Sequence, residues 1–276
     1  MAAAGRVECA EMQSKVLRRS VRYCALLPSS YDIDKARRYP VLYYLHGLGD
    51  NEQSLLNLGG WNLVENLREK NTIGEFLILA PEGGRSFFIN SRDARLRYED
   101  FFIREFVPAM EAKFRARAGR ASRAITGVSM GGYGALHMAM KYPQMFVAVS
   151  SHMGALIKQI PAALTDARDL GRGLNFLSEV FGQPFDRAFW DRNSPFTLAR
   201  QARGLSRLKI YFDCGDEDGF GFDAGTVAFH ELLKSRGVAH EFHIYPGGHD
   251  WDFVSKHMGA SMEFHSHAFG LKPSKK

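Results

Sequence analysis

Short apolar runs, each cut off by glycine or proline, set the rhythm of this 276-residue chain. Residues 41–45, 76–80, 146–150 and 208–212 are nearly continuous apolar stretches and predict buried strands. Residues 16–27 and 241–245 alternate enough to predict two more, the first ending in the turn cluster Pro28, Ser29, Ser30, Tyr31 and Asp32. Between them the period lengthens. Residues 55–70 (towards their end), 133–141 and 223–235 read as helices, and a last helix follows Trp251. Another begins at Tyr98, Glu99 and Asp100, where acidic residues suit a first turn, and carries Phe102, Phe106, Met110 and Phe114 at four-residue spacing. That stripe predicts packing on a sheet, with a kink at Pro108. Residues 1–14 are short on apolar pattern and read as frayed or laid along an edge.

Strands alternating with helices at this spacing imply βαβ units and a mostly parallel, doubly wound sheet with helices on both faces. Residues 152–207 break the rhythm with Gly171, Gly173, Pro184, aromatic clusters at 176–181 and 185–190, and a Ser194–Pro195 helix start. The expectation is one α/β domain over 1–276, with 152–207 as an inserted, cap-like segment over the active-site edge. No internal repeat or low-complexity segment interrupts it.

The chemistry is concentrated where strand passes into helix at residues 124–136. Gly127, Ser129 and Gly131 form a Gly-x-Ser-x-Gly pattern between a short buried strand and a helix rich in Ala, Leu and Met. On its own the pattern also fits a glycine-rich turn with a helix-capping serine. Set between strand and helix, it predicts a nucleophile elbow, a sharp turn that lifts the hydroxyl clear of the sheet. Glycines two before and two after remove side chains that would collide there. The helix N-terminus behind the serine favours developing negative charge.

A serine hydroxyl needs a base to become a nucleophile. Among ten histidines, His249 follows a strand and two glycines, Gly247 and Gly248, which let its loop bend towards Ser129. His137 reads as packed in the elbow helix, and His46 as shaping the loop before Gly47. His240 and His243 point to opposite faces of a strand, which argues against a metal pair, while His257, His265 and His267 read as surface residues. The acid that orients the base comes from Asp213, Asp216, Glu217 and Asp218. Asp213 is still on its strand and suits bracing the turn; Asp218, before Gly219, is far enough out to face the histidine loop, with Asp216 in reserve. The order Ser, Asp, His along the chain is that of an α/β-hydrolase fold. There the oxyanion donors are the amides of Met130, after the nucleophile, and Leu48, on the loop after the early strand, each worth on the order of 10²-fold in rate or more.

Charge and cysteine change the picture little. Thirty-six Lys and Arg against 30 Asp and Glu give a net charge of +6. Part of the excess lies in Lys113, Arg115, Arg117, Arg120 and Arg123, a run that suits a helix C-terminus and a solvated face. It lacks the aromatic interleaving or motif of a nucleic-acid surface, so no nucleic-acid partner is expected. Cys9, Cys24 and Cys214 have no metal-ligand spacing and suggest no disulfide framework. No stretch approaches 18 apolar residues, so no membrane partner is expected. The first residues lack the apolar run of a signal peptide, which predicts a cytoplasmic protein, although a chain whose leader had been removed reads the same way.

With these residues assembled, the chain resembles the putative-esterase family of α/β hydrolases, which includes esterase D (S-formylglutathione hydrolase), feruloyl esterases and mycolyltransferases. The resemblance rests on residues 40–49 and 125–136, on Asp213, Cys214, Gly215 and Asp218, and on residues 247–251. It implies Ser129 as nucleophile, His249 as base, Asp218 as acid, and the amides of Leu48 and Met130 as oxyanion donors. It also implies no metal or cofactor, and a small-molecule or carbohydrate-linked ester as substrate. Formylglutathione hydrolases tend to have histidine after the paired glycines of the elbow; here Tyr133 stands there, which tilts the resemblance towards feruloyl and acetyl esterases. The expected activity is hydrolysis of small acyl or cinnamoyl esters through an acyl-enzyme. The alternatives are a thioesterase of the S-formylglutathione type, an acyltransferase, and a catalytically silent scaffold that binds without reacting. Phe87, Phe88 and the aromatics of 176–190 are candidates for an acyl pocket, though core packing accounts for most of them.

Overall fold

The computed structural model describes residues 5–160 and 177–271. Eight strands form one sheet in the order β1-β2-β4-β3-β5-β6-β7-β8. They are β1 (Arg6–Ser14), β2 (Arg19–Leu27), β3 (Val41–Leu45), β4 (Leu77–Pro81), β5 (Arg123–Val128), β6 (Ala148–His152), β7 (Lys209–Gly215) and β8 (Glu241–Tyr245). From β4 to β8 every pairing is parallel; β1 and β2 add an antiparallel edge. The mostly parallel, doubly wound sheet read from periodicity is therefore present. The central strands β3 and β4 are buried along their whole length, as continuous apolar runs require when both faces are covered.

The helices are α1 (Ser54–Asn57), α2 (Gly60–Glu69), α3 (Tyr98–Phe101), α4 (Val107–Lys113), α5 (Met130–Lys141), α6 (Leu177–Phe181), α7 (Arg187–Asn193), α8 (Pro195–Gln201), α9 (Phe222–Ser235) and α10 (Trp251–Ala268). Helix α10 lies against β6, β7 and α2, while α8 bridges α5 and α9. Of the segment 152–207, residues 177–201 fold as α6, α7 and α8 beside α5. Gly171, Gly173 and Phe176 lie outside the described residues. Ser194 does precede α8 with Pro195 in its first turn, but the serine side chain makes no capping bond. No helix among the described residues is long and apolar enough to cross a membrane.

The local expectations hold in part and need revising in part. Of the two readings of the N-terminal residues, frayed or laid along an edge, the second holds: residues 6–14 form an edge strand, half solvated, whose mixed polar sequence hides its period. Its register sets Cys9 opposite Cys24, Cα atoms 4.1 Å apart, and the two form a disulfide where none was expected. The pairing depends on a strand that the apolar pattern did not disclose. Around Pro108 the expected irregularity is a widened turn in a helical run that is unbroken from Tyr98 to Lys113. Phe102–Phe106 form a π-helical turn, Val107 N–H donating to the Phe102 carbonyl, and Pro108 stands where that turn passes into α4. All four stripe residues are buried, Phe102 and Phe106 beneath Tyr43 and Met110 and Phe114 further along. The basic run is dispersed into partners: Lys113 meets Tyr23 and Glu8, Arg115 stacks on Tyr31, and Arg123 pairs with Glu111.

Glu99 anchors a buried polar cluster under α5. Its carboxylate meets His137 Nε2 at 2.8 Å and Lys141 Nζ at 2.7 Å, and accepts the Tyr142 hydroxyl. Burial pushes this carboxyl up, but the His137, Lys141 and Tyr142 contacts outweigh it and bring it down to about 2. A depressed carboxylate stabilises the fold fully above its unfolded value, near 4.5, and that contribution disappears as the pH falls towards 2. Glu99→Ala is expected to cost roughly 3 kcal/mol at neutral pH, because it strands buried donors. Chemical denaturation at pH 7, 4.5 and 2.5 checks this: the gap between variant and parent should narrow as the pH drops.

Candidate active site

The elbow forms as its glycines dictate. Ser129 sits at φ 55°, ψ −114° between β5 and α5. A Cβ on Gly127 would lie 2.2 Å from the carbonyl oxygen of Gly131, and one on Gly131 only 2.0 Å from that of Leu45. Neither clash is with a movable side chain, so both positions demand glycine. The strained backbone is held on both sides. Ser129 N–H donates to the His152 carbonyl at 2.8 Å, and the Ser129 carbonyl accepts from Tyr133 and Ala155.

Two distant loops then meet this serine. The turn after β7 carries Asp218 and the turn after β8 carries His249. They are zipped together: Glu217 N–H donates to the Gly247 carbonyl, and Gly247 N–H to the Asp216 carboxylate. Gly215 permits the approach, since a Cβ there would come within 2.1 Å of the Gly247 oxygen. His249 Nε2 lies 2.9 Å from Ser129 Oγ, and His249 Nδ1 lies 2.7 Å from Asp218 Oδ2. The rings of Phe220 and Phe222 stand nearly perpendicular to the imidazole, centroids 4.8 and 5.5 Å from its own, and limit its rotation.

Asp218 is buried and satisfied on both oxygens. Phe220 N–H donates to Oδ1 at 2.9 Å, and Cys214 Sγ–H donates to Oδ2 at 3.3 Å. Burial pushes the carboxyl up, but the hydrogen bond and proximity of His249, with the Phe220 amide, hold it below the usual carboxylate range. Burial pushes the Cys214 thiol up, and Asp218 adds to this, so the group stays a donor. The other acid candidates are elsewhere: Asp216 holds the histidine loop by its amide, Glu217 is exposed, and Asp213 is buried against His152.

A cleft of about 310 Å³ opens over Ser129 and His249. Gly47 and Leu48 from the loop after β3, Leu58, Val128, Met153, Trp251 and Val254 line it, and among the described residues its charged walls are Asp50 and Asp250. Met130 opens α5 directly behind the nucleophile. His46, buried, shapes the Leu48 loop: Nδ1–H donates to Gly47 O at 2.7 Å and Nε2 accepts from Gly83 N–H at 2.8 Å. Burial lowers its pKa, in keeping with that neutral tautomer.

The remaining histidines sort as follows. His137 is packed, as expected. His265 is not at the surface: it is buried against Ser150, and burial brings it down to about 3. His257 is half-buried and His267 exposed. His240 precedes β8 and pairs with His230. Among the described residues no group of three or more His, Cys, Asp or Glu side chains could hold a metal ion. Phe87, Phe88, Phe181, Phe185 and Trp190 are core, not cleft. Tyr133 is also buried, its hydroxyl donating to the Asn193 carbonyl, so it ties α5 to α7 and does not face the cleft. The groups sequence reasoning missed are those that steady the site, Phe220, Phe222, Cys214 and His152. Only their nearness to Asp218 or to a strand end marks them.

A sequence model of the putative esterase family matches residues 14–261. An acetyl esterase of Caldicellulosiruptor saccharolyticus is 30% identical over 263 residues, 92% of this chain and 95% of its own length. Esterase Rv1288 of Mycobacterium tuberculosis is 31% identical over 250 residues, 81% of this chain, which spans about half (51%) of that protein. Among solved structures, a ferulic acid esterase superposes with a TM-score of 0.81 at 26% identity, covering 96% of this chain and 99% of its own. An S-formylglutathione hydrolase of Agrobacterium tumefaciens shares the fold, with a TM-score of 0.75 at 20% identity and 98% of each chain covered.

Proposed function

As a member of the putative esterase family, the chain is a serine hydrolase, and we propose that it hydrolyses small uncharged acyl esters, acetyl or cinnamoyl, through Ser129, His249 and Asp218. The observation that carries this reading is the unbroken line of hydrogen bonds from Ser129 Oγ to His249 to Asp218, 2.9 and 2.7 Å, at the foot of an open cleft.

Ser129 Oγ attacks the ester carbonyl as His249 Nε2 takes its proton. The amides of Leu48 and Met130 receive the oxyanion, aided by the positive end of α5. His249 returns the proton to the departing alcohol. A water then passes its own proton to the same nitrogen and attacks the acyl-enzyme; as the acyl–oxygen bond breaks, His249 returns that proton to Ser129 Oγ and the acid leaves. Asp218 keeps the Nδ1–H tautomer and stabilises the imidazolium.

The walls of the cleft favour a neutral substrate. They are apolar apart from two carboxylates, and no Lys or Arg is among the described side chains that line it. An anionic peptide thioester such as S-formylglutathione would meet like charge there, with no cation among those described side chains to receive it. The acetyl esterase and ferulic acid esterase likenesses point the same way. The Cys9–Cys24 disulfide favours an oxidising compartment over the cytoplasm.

A substrate panel tests the reading. Turnover (kcat/KM) on nitrophenyl acetate and methyl ferulate is expected to exceed that on S-formylglutathione by about tenfold or more, the scale of one unfavourable charge contact. A preference for S-formylglutathione would overturn it. Added alcohol should not divert most of the acyl group, as it would in an acyltransferase.

A further inference from the structure

Beneath the sheet lies a second Asp–His–Ser line that the proposed chemistry does not use. His152 Nδ1 meets both Asp213 carboxylate oxygens, at 2.9 and 3.0 Å, and His152 Nε2 meets Ser261 Oγ at 2.8 Å. Tyr211 donates to Asp213 at 3.0 Å. Strand register builds it, since His152 of β6 lies opposite Asp213 of β7 while Ser261 comes from α10 across the sheet face. His152 and Ser261 are fully buried and Asp213 is 1% exposed, so no substrate reaches them.

The same residues touch the elbow through the backbone. The His152 carbonyl takes the Ser129 amide at 2.8 Å, and the Asp213 carbonyl takes the amide of Met153, a cleft residue at φ 47°. Helix α10, to which Ser261 belongs, starts two residues after His249. The cluster therefore joins the strand end that grips the nucleophile to the helix that follows the base.

We propose that Asp213, His152 and Ser261 form a buried positioning cluster that sets the distance between Ser129 and His249. The proposal rests on the reading of Ser129 as nucleophile. Reach matters because displacement of about 1 Å at a reacting pair costs on the order of 10²-fold in rate, even when its cause is remote. A group that only stabilised the fold would lower the unfolding temperature and leave the turnover of folded molecules unchanged.

The test uses the full chain with Ser261→Ala, Asp213→Leu and Asp213→Asn, each measured for thermal midpoint, kcat, KM and rate of labelling at Ser129 by a fluorophosphonate. Ser261→Ala is expected to lower kcat and the labelling rate about tenfold at unchanged KM, below its own midpoint. Asp213→Leu should lose more, and Asp213→Asn, which keeps an acceptor for His152, should recover most of it. Should Asp213→Leu fail to fold, Ser261→Ala and Asp213→Asn carry the comparison. If Ser261→Ala unfolds earlier but labels and turns over at the parent rate, the cluster is structural and the proposal is overturned. If the parent protein does not label at Ser129, the active-site reading falls, and this proposal with it.

Discussion

Ser129→Ala is expected to abolish turnover of nitrophenyl acetate, by on the order of 10⁴-fold or more, with the fold intact. The reasoning starts from what the hydroxyl touches. Among the described residues its Oγ has one hydrogen-bond partner, His249 Nε2, while the strained elbow is held through backbone groups that alanine retains. Removing it deletes the atom that forms the acyl-enzyme and little else. Loss of a nucleophile in such a unit costs about as much as loss of the whole unit, and residual catalysis comes from the oxyanion donors and binding. The thermal midpoint should stay within a few degrees of the parent's. Fluorophosphonate labelling should vanish with the activity. Activity retained above a tenth of the parent's would place the nucleophile elsewhere.

Asp218→Asn should lower kcat by about 10⁴-fold, and the surroundings of the carboxylate say why. Phe220 N–H donates to Oδ1, so an asparagine would turn its carbonyl oxygen there and its NH₂ towards His249. That amide can only donate, which forces His249 Nδ1 to accept. The ring proton then moves to Nε2, the nitrogen that must take the proton of Ser129. The base would be present, well placed and in the wrong tautomer. Because Asp218 lies below the usual carboxylate range, it stays ionised under mildly acidic conditions. Protonation of the acid is therefore not what limits the parent enzyme near pH 5. A kcat profile from pH 5 to 9 for parent and variant checks both points. A variant within tenfold of the parent at pH 7 would remove Asp218 from the mechanism.

Much of the fold was legible because its signals are local. Val41–Leu45 and Glu241–Tyr245 end where the apolar pattern ends, and Phe102, Phe106, Met110 and Phe114 are buried as their spacing requires. Periodicity reports which face of an element avoids water, and neighbours along the chain suffice to show it. It failed where one face is solvated and the other lies against a single neighbour, as in Arg6–Ser14, and so the Cys9–Cys24 pairing went unseen. It misplaced His265 for a related reason. Polar residues on the buried side of α10 look like surface residues until Ser150 appears opposite.

By itself the sequence determined the elbow, because Gly127, Ser129 and Gly131 carry their geometric requirement in five consecutive residues. It also narrowed the base and the acid to one residue on each of two loops, by chain order and by resemblance. Only the tertiary structure decided that these meet. Ser129 and His249 are 120 residues apart in the chain and 2.9 Å apart in space. That closeness is a property of parallel register across β5, β6, β7 and β8, which no single stretch encodes. The same register created the sealed Asp213–His152–Ser261 line beside the open one. Residue types could not tell the two apart, because what separates them is access to solvent.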